Sequence, residues 1–256
     1  MTRWFRSAVV VVALLLCVSG SARAQSDEIN LVTANLIRGS IDELIKNFEA
    51  QTNHKVMAAY SPGGVAMQKV VKGTPFDLAI LNGPFADLDA SGNADKGSAT
   101  TVASVLMGVV VKKGTPIPDI STPEAARKML REAKSLTYPD PSTGGAAGMV
   151  LEAALKKDGM YDELKSKIVL APGGSSVAVT SRGDAEVGFI FLSEINDPGI
   201  VVVGALPVEV CPATDMVGYI SAKPANAAGA KALLDYFTSP EAAAVFTAHH
   251  LQPAKH

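Results

Sequence analysis

The 256-residue chain has little of what usually announces chemistry: two cysteines, one tryptophan, four histidines, and aromatics at only 5%. It contains no HExxH, no paired CxxC, no GxSxG and no GxxxxGK[ST]. That leaves no ready-made zinc, redox, serine-hydrolase or P-loop site. Charge of one sign is lacking too, since 23 Lys and Arg nearly balance 25 Asp and Glu. No basic run is interleaved with aromatics, so no nucleic-acid partner is expected. Low-complexity tracts are absent. The 48% hydrophobic content suits one or two globular domains of about 100 to 150 residues.

Long hydrophobic runs are also missing. The longest, Ser7 to Val18, is about 12 residues, short of the roughly 20 that span a bilayer. It follows the basic Met1–Arg6 and precedes Ala22-Arg23-Ala24, a small-x-small site. This is the pattern of a secretory signal peptide over residues 1–24, with cleavage expected between Ala24 and Gln25 and a periplasmic destination. A retained anchor is the weaker reading. Lipoprotein processing at Cys17 would need Gly, Ala or Ser before it, where Leu16 stands. Cleavage removes Arg3, Arg6 and Arg23 and shifts the net charge from −2 to −5. It also leaves Cys211 as the single thiol, so an internal disulfide is excluded and a buried structural cysteine expected.

Along the mature chain, Glu28–Asn35 alternates like a strand, and Ile41, Leu44, Ile45 and Phe48 recur at helical spacing behind Ser40, a candidate N-cap. Lys55–Tyr60 and Phe76–Leu81 read as strands around a short helix from Val65 to Val71. Three strand–turn–helix units in succession predict an α/β domain. Ala103–Lys112 reads as one apolar strand, and Thr122-Pro123-Glu124 opens a helix. A second α/β set follows to about Pro212, with strands at 135–138, 167–171, 184–192 and 199–206 and helices between them. The tail, a strand at 216–221 and two Ala-rich helices, is too small for a domain and is expected to pack back on the first lobe. Two crossings, near 109–113 and 211–216, would join the lobes.

One feature recurs: a strand ends in a small-residue turn that opens a helix, at Asn35–Ser40, Ser61–Gly64, Ser142–Gly145 and Gly173–Ser176. Such turns present backbone N–H groups and the positive end of a helix dipole, which favours an anion. Ligands of open α/β sheets gather outside the carboxyl ends of strands. The bland alternative is that Gly and Ser merely punctuate elements. Arg38, beside the first turn, would clamp a carboxylate if it faced the cleft, or would be a solvated surface residue if it did not. No histidine lies in a cleft turn, and His249-His250 diverge on a helix, so no metal site is expected. Asp77, Asp140 and Asp215 lie near strand ends without pairing into an acid and a base. Binding is expected rather than catalysis, with no cofactor and no catalytic residue.

The order of these elements resembles a type II periplasmic substrate-binding protein, most of all the molybdate-binding branch. The resemblance rests on LVTANLIRGSIDELIKNFEAQTNHKV, AYSPGGVAMQKVVKGTPFDLAILN with its G-x-P-x-D, DPSTGGAAGMVLEAALKKDGMYDELKSKIVL, GGSSVAVTSRGDAEVGFIFLSEI and the closing YFTSPEAAAVFTAHHLQPA. It implies a two-lobed α/β fold, each lobe a mixed sheet flanked by helices: residues 25–110 with 213–256, and residues 111–212. It places ligand contacts near Asn35 and Leu36, near Ser61, Gly63 and Gly64, at Thr143, Gly144, Gly145 and Ala146, and at Gly174, Ser175 and Ser176. The turn reading adds Arg38 and Ser142. The family's hydroxyl-rich turns are thinned here, Asn35-Leu36 and Phe191 standing where a Ser and a Tyr are usual. A small di- or tricarboxylate therefore fits at least as well as molybdate or tungstate. The family further implies capture by hinge closure, delivery by a monomer to a transporter permease, or a sensor's role. A dehydratase on the same fold would need a cleft acid/base pair that the sequence does not display.

Overall fold

A computed structural model describes residues 27–172 and 176–254. The expected signal peptide and its cleavage site lie outside these residues. The chain forms strands β1 (Glu28–Ala34), β2 (Lys55–Ser61), β3 (Leu78–Asn82), β4 (Thr100–Val105), β5 (Met107–Lys112), β6 (Leu136–Pro139), β7 (Ile168–Ala171), β8 (Val187–Phe191), β9 (Ile200–Ala205), β10 (Thr214–Ile220) and β11 (Leu251–Pro253). The helices are α1 (Arg38–Gln51), α2 (Gly63–Val71), α3 (Ala86–Ser91), α4 (Pro123–Glu132), α5 (Ala146–Lys157), α6 (Tyr161–Leu164), α7 (Ser176–Arg182), α8 (Ala227–Phe237) and α9 (Pro240–Ala248).

Two mixed sheets carry the two lobes. The first runs β11-β4-β10-β3-β1-β2 and the second β7-β6-β8-β5-β9. β1 pairs parallel with β2 and β3, as consecutive strand–helix–strand units require, while β10 runs antiparallel between β3 and β4. In the second sheet β6 is parallel to β7 and β8, and β5 is antiparallel to β8 and β9. β8 is buried along its whole length, including Phe189 and Phe191. A central strand covered on both faces must be apolar throughout.

Two local expectations change. The apolar run 103–112 is split at Leu106: β4 belongs to the first sheet and β5 to the second. Continuous hydrophobicity concealed the break because both halves are buried, each in a different sheet. The first crossing therefore lies at Leu106, so β5 sits wholly in the second sheet although a lobe boundary after residue 110 was expected. The return crossing runs through 206–213. Ser40 is no N-cap. A 3-10 turn over Asn35–Ile37 leads straight into α1, so the helix begins at Arg38, and buried Ser40 donates its hydroxyl to the Ile37 carbonyl at 2.9 Å.

Other helix starts follow their sequence signals. Thr122 and Ser239 each accept a bond from the third following N–H, at 3.1 Å, with a proline as first helical residue. Each such cap contributes about 1 kcal/mol. The tail returns to the first lobe: β11 pairs with β4, α9 packs on α1, and His249 Nε2 meets Glu43 at 2.9 Å.

Candidate functional site

Strand ends from both sheets meet along one side of the crossings. In the first lobe the 3-10 turn Asn35–Ile37 follows β1 and the Pro62–Gly63 step follows β2. α2 starts at Gly63, so its opening N–H groups have no carbonyl within the helix. In the second lobe β6 ends at Pro139, and the turn 140–145 leads into α5. Asp140 shapes that turn by accepting from the Ser142 N–H at 2.8 Å and its hydroxyl at 2.7 Å. Gly144 has φ of +86°, where a side chain would be strained. Gly148 lies so close to β6 that a Cβ would stand 1.7 Å from the Pro139 carbonyl oxygen. These glycines press the N-terminus of α5 against the strand end.

These turns enclose a cleft of about 390 Å3 between the lobes. Asn35, Leu36, Pro62 and Gly63 line it from the first lobe, and Pro139, Thr143–Ala147, Ile190 and Glu194 from the second. The N-termini of two helices, α2 and α5, thus face one space from opposite lobes. Other cavities are built differently. One of about 440 Å3 under the 115–119 loop lies wholly within the second lobe, and its charged lining is Asp119, Lys128, Glu132 and Glu186.

Glu194 is the titratable side chain of the cleft lining. It sits on the 3-10 turn Leu192–Glu194 that follows β8, and that turn packs on Asn35–Ile37 of the other lobe. Leu192 N–H donates to the Leu106 carbonyl at 3.0 Å, which ties the turn to the first crossing. Water still reaches the Glu194 side chain through the open cleft, while protein from both lobes surrounds it. That enclosure removes much of the bulk hydration and pushes the carboxyl from its ordinary 4.5 up to about 7. Among the described residues Glu194 has no hydrogen bond or ion pair, and the neighbouring Ser193 Oγ is buried without a partner.

The model of the family described as bacterial extracellular solute-binding protein matches residues 29–252. The chain belongs to this family. It is a solute-binding protein with the two-lobed type II fold. An aconitate isomerase from a Pseudomonas species is 30% identical over 249 residues, 94% of each chain. The molybdate-binding protein ModA of Azotobacter vinelandii is 27% identical, covering 88% of this chain and 90% of its own. The solved periplasmic molybdate-binding protein of that organism superposes with a TM-score of 0.67 at 22% identity, over 89% of this chain and all of the other.

One expectation is overturned here. A protein without catalytic activity was expected because no acid or base could be placed in the cleft. A relative 30% identical along nearly its whole length is named as an isomerase, and the structure does place an ionisable group there. Sequence reasoning missed Glu194 because LSEIND carries no motif. The available signal was position, an acidic residue just past the carboxyl end of a fully apolar strand.

Of the residues expected to contact a ligand, Asn35, Leu36, Gly63, Thr143, Gly144, Gly145 and Ala146 line the interlobe cleft. Arg38 lies outside the lining. Its guanidinium sits 4.5 Å above the Tyr60 ring and 3.6 Å from Asp42, with 61% of the side chain exposed. Ser61 is buried and its hydroxyl accepts from Lys69 Nζ at 2.6 Å. Gly64 and Ser142 are exposed beside the cleft, and buried Ser176 donates to the Phe189 carbonyl at 2.9 Å. Gly174 and Ser175 fall outside the described residues. Pro139, Ala147 and Ile190 join the lining without having been singled out.

Proposed function

We propose that this solute-binding protein takes a small organic anion with two or more carboxylates into the interlobe cleft. The observation that carries the reading is the convergence of the α2 and α5 N-termini, from different lobes, on one cleft of about 390 Å3. Each helix start offers unpaired N–H groups and about half a positive charge. A ligand with an anionic group at each end satisfies both and holds the lobes together. Closure then follows from contacts that only the closed form makes. The volume lies within the range of about 300–1,000 Å3 typical of small-molecule sites, more space than a lone tetrahedral oxyanion fills. The isomerase relative, whose name carries a tricarboxylate, supports the same class.

The contact set is Asn35, Leu36, Gly63, Thr143, Gly144 and Gly145. The chain is exported with residues 1–24 removed, acts in the periplasm as a monomer, and presents its closed form to a transporter permease. A second reading, molybdate or a related oxyanion, draws on the similarity to ModA.

The test is thermal unfolding of the protein from Gln25 onward with aconitate, citrate, molybdate and sulfate. A ligand at 100 times its dissociation constant adds about 2.7 kcal/mol, visible as a raised Tm. A response to the tricarboxylates is expected. A response to molybdate alone returns the cleft to the oxyanion reading.

A further inference from the structure

We propose that Glu194 is the proton-transfer residue of the cleft, removing a proton from a bound ligand carbon that adjoins a carboxylate and returning it to the ligand. The proposal rests on the polycarboxylate reading above and adds chemistry to it.

Three observations carry it. First, a carboxylate is the wrong group for holding an anion, since like charges in a partly enclosed site repel. The lining otherwise consists of neutral side chains and backbone donors: Asn35, Leu36, Pro62 and Gly63 on one lobe, the 139–147 turn and Ile190 on the other. Second, Glu194 has no structural employment. Most acidic groups near the turns are bonded, Asp140 to Ser142, Asp42 to Arg38 and Tyr60, Asp77 to Asn30 and Asn226. Glu194 bonds to nothing among the described residues. Third, its turn bridges the lobes, packing on Asn35–Ile37 while hydrogen-bonded to Leu106 at the crossing. Closure over a ligand therefore brings Glu194 and the helix N-termini to bear together. Enclosure by both lobes pushes the carboxyl up to about 7 although water still reaches it, within the range in which a general base works near neutral pH.

The step balances without any oxidant or co-reactant. The ligand C–H bond breaks, its proton forms an O–H bond on Glu194, and the electron pair delocalises into the adjoining carboxylate. The N–H groups at the start of α2 or α5 stabilise the added negative charge as it develops. Where a carbon–carbon double bond adjoins that carbon, the electron pair spreads over three carbons. Return of the proton from Glu194 to the far carbon then shifts the double bond by one position. Return to the original carbon regenerates the ligand. Glu194 ends each cycle ionised.

The test uses the protein from Gln25 onward with trans-aconitate in D2O near neutral pD. Proton NMR follows deuterium entering the ligand carbons, and calorimetry follows binding. The wild-type protein is expected to catalyse exchange. Glu194→Gln is expected to keep aconitate affinity within about threefold and lose about 10²- to 10⁴-fold in exchange rate. Glu194→Asp, with a shorter reach, is expected to fall between. A wild-type circular-dichroism spectrum and a cooperative thermal transition in both variants show that the fold is intact. Binding without exchange by the wild type, or exchange that survives Glu194→Gln, overturns the assignment and leaves the polycarboxylate reading standing. Absence of aconitate binding overturns the assignment, and absence of citrate binding as well overturns the polycarboxylate reading with it.

Discussion

Asp77 Oδ1 accepts a hydrogen bond from the Asn226 N–H at 2.9 Å across 149 positions of sequence. Its Oδ2 accepts the backbone N–H of Asn30 at 2.8 Å and that residue's amide at 3.1 Å. One fully buried carboxylate thus joins β1, the approach to β3 and the cap of α8. Asp77 is the acid of the G-x-P-x-D stretch, and its work is to fasten the returning tail to the first lobe.

Asp77→Ala removes the acceptor for three donors, two of them backbone N–H groups. Each buried donor left unsatisfied costs about 1–3 kcal/mol. A loss of about 3 kcal/mol or more is expected in urea denaturation, with Asp77→Asn less damaging because its amide oxygen still accepts. A loss below about 1 kcal/mol in Asp77→Ala would falsify the fastening role.

Ligand affinity is expected to fall as pH rises through about 7. Below that value Glu194 is largely neutral and above it a negative charge faces the anion. The elements packed around it add no other ionisable group to the lining. Asp140 is bonded within its turn, and Arg38 is held by Asp42 and Tyr60. Calorimetry of one ligand against wild type and Glu194→Gln, from pH 5.5 to 8.5, cancels the ligand's own titration. The variant's profile is expected to be flatter. Without ligand, the folded carboxyl titrates near 7 against its ordinary 4.5. The native state therefore binds the proton more tightly, and stability is lost as pH rises through that window. The Tm difference between wild type and Glu194→Gln is expected to move in the same window.

Gly148→Ala is expected to destabilise the second lobe. The new Cβ would stand 1.7 Å from a backbone oxygen of Pro139, which no rotamer change relieves. Overpacking of this kind costs about 1–3 kcal/mol. Because β6 and α5 must separate, the cleft turn moves too, so reduced ligand affinity is expected alongside a lower Tm.

Cys211 is 1% exposed, and burial pushes its thiol up to about 12. A neutral, enclosed thiol is a poor nucleophile. A coloured thiol reagent at pH 8 is expected to leave the native protein unlabelled and to react once it is unfolded in guanidinium.

Arg38→Ala is expected to change ligand affinity by less than about threefold and stability by less than about 1 kcal/mol. Its guanidinium lies outside the cleft lining, on Tyr60 and an exposed carboxylate. Calorimetry and thermal unfolding check both numbers.

The local grammar is carried by short stretches of neighbouring residues. Apolar spacing in Ile41, Leu44 and Phe48, proline at the first turn of α4 and α9, and Gly–Ser turns after strands are written in neighbouring residues. They act over a few ångströms of contiguous chain, so they are legible without tertiary structure. The resemblance supplied the two-lobed order. Tertiary structure decided whatever depends on distant elements meeting. It split 103–112 between two sheets, because burial in either sheet demands the same hydrophobicity. It turned Arg38 onto Tyr60 rather than into the cleft, because a long side chain follows local partners that sequence does not rank. It also set Glu194 between two lobes at a crossing, where enclosure by segments more than 150 residues apart in sequence changes how readily the carboxyl holds its proton.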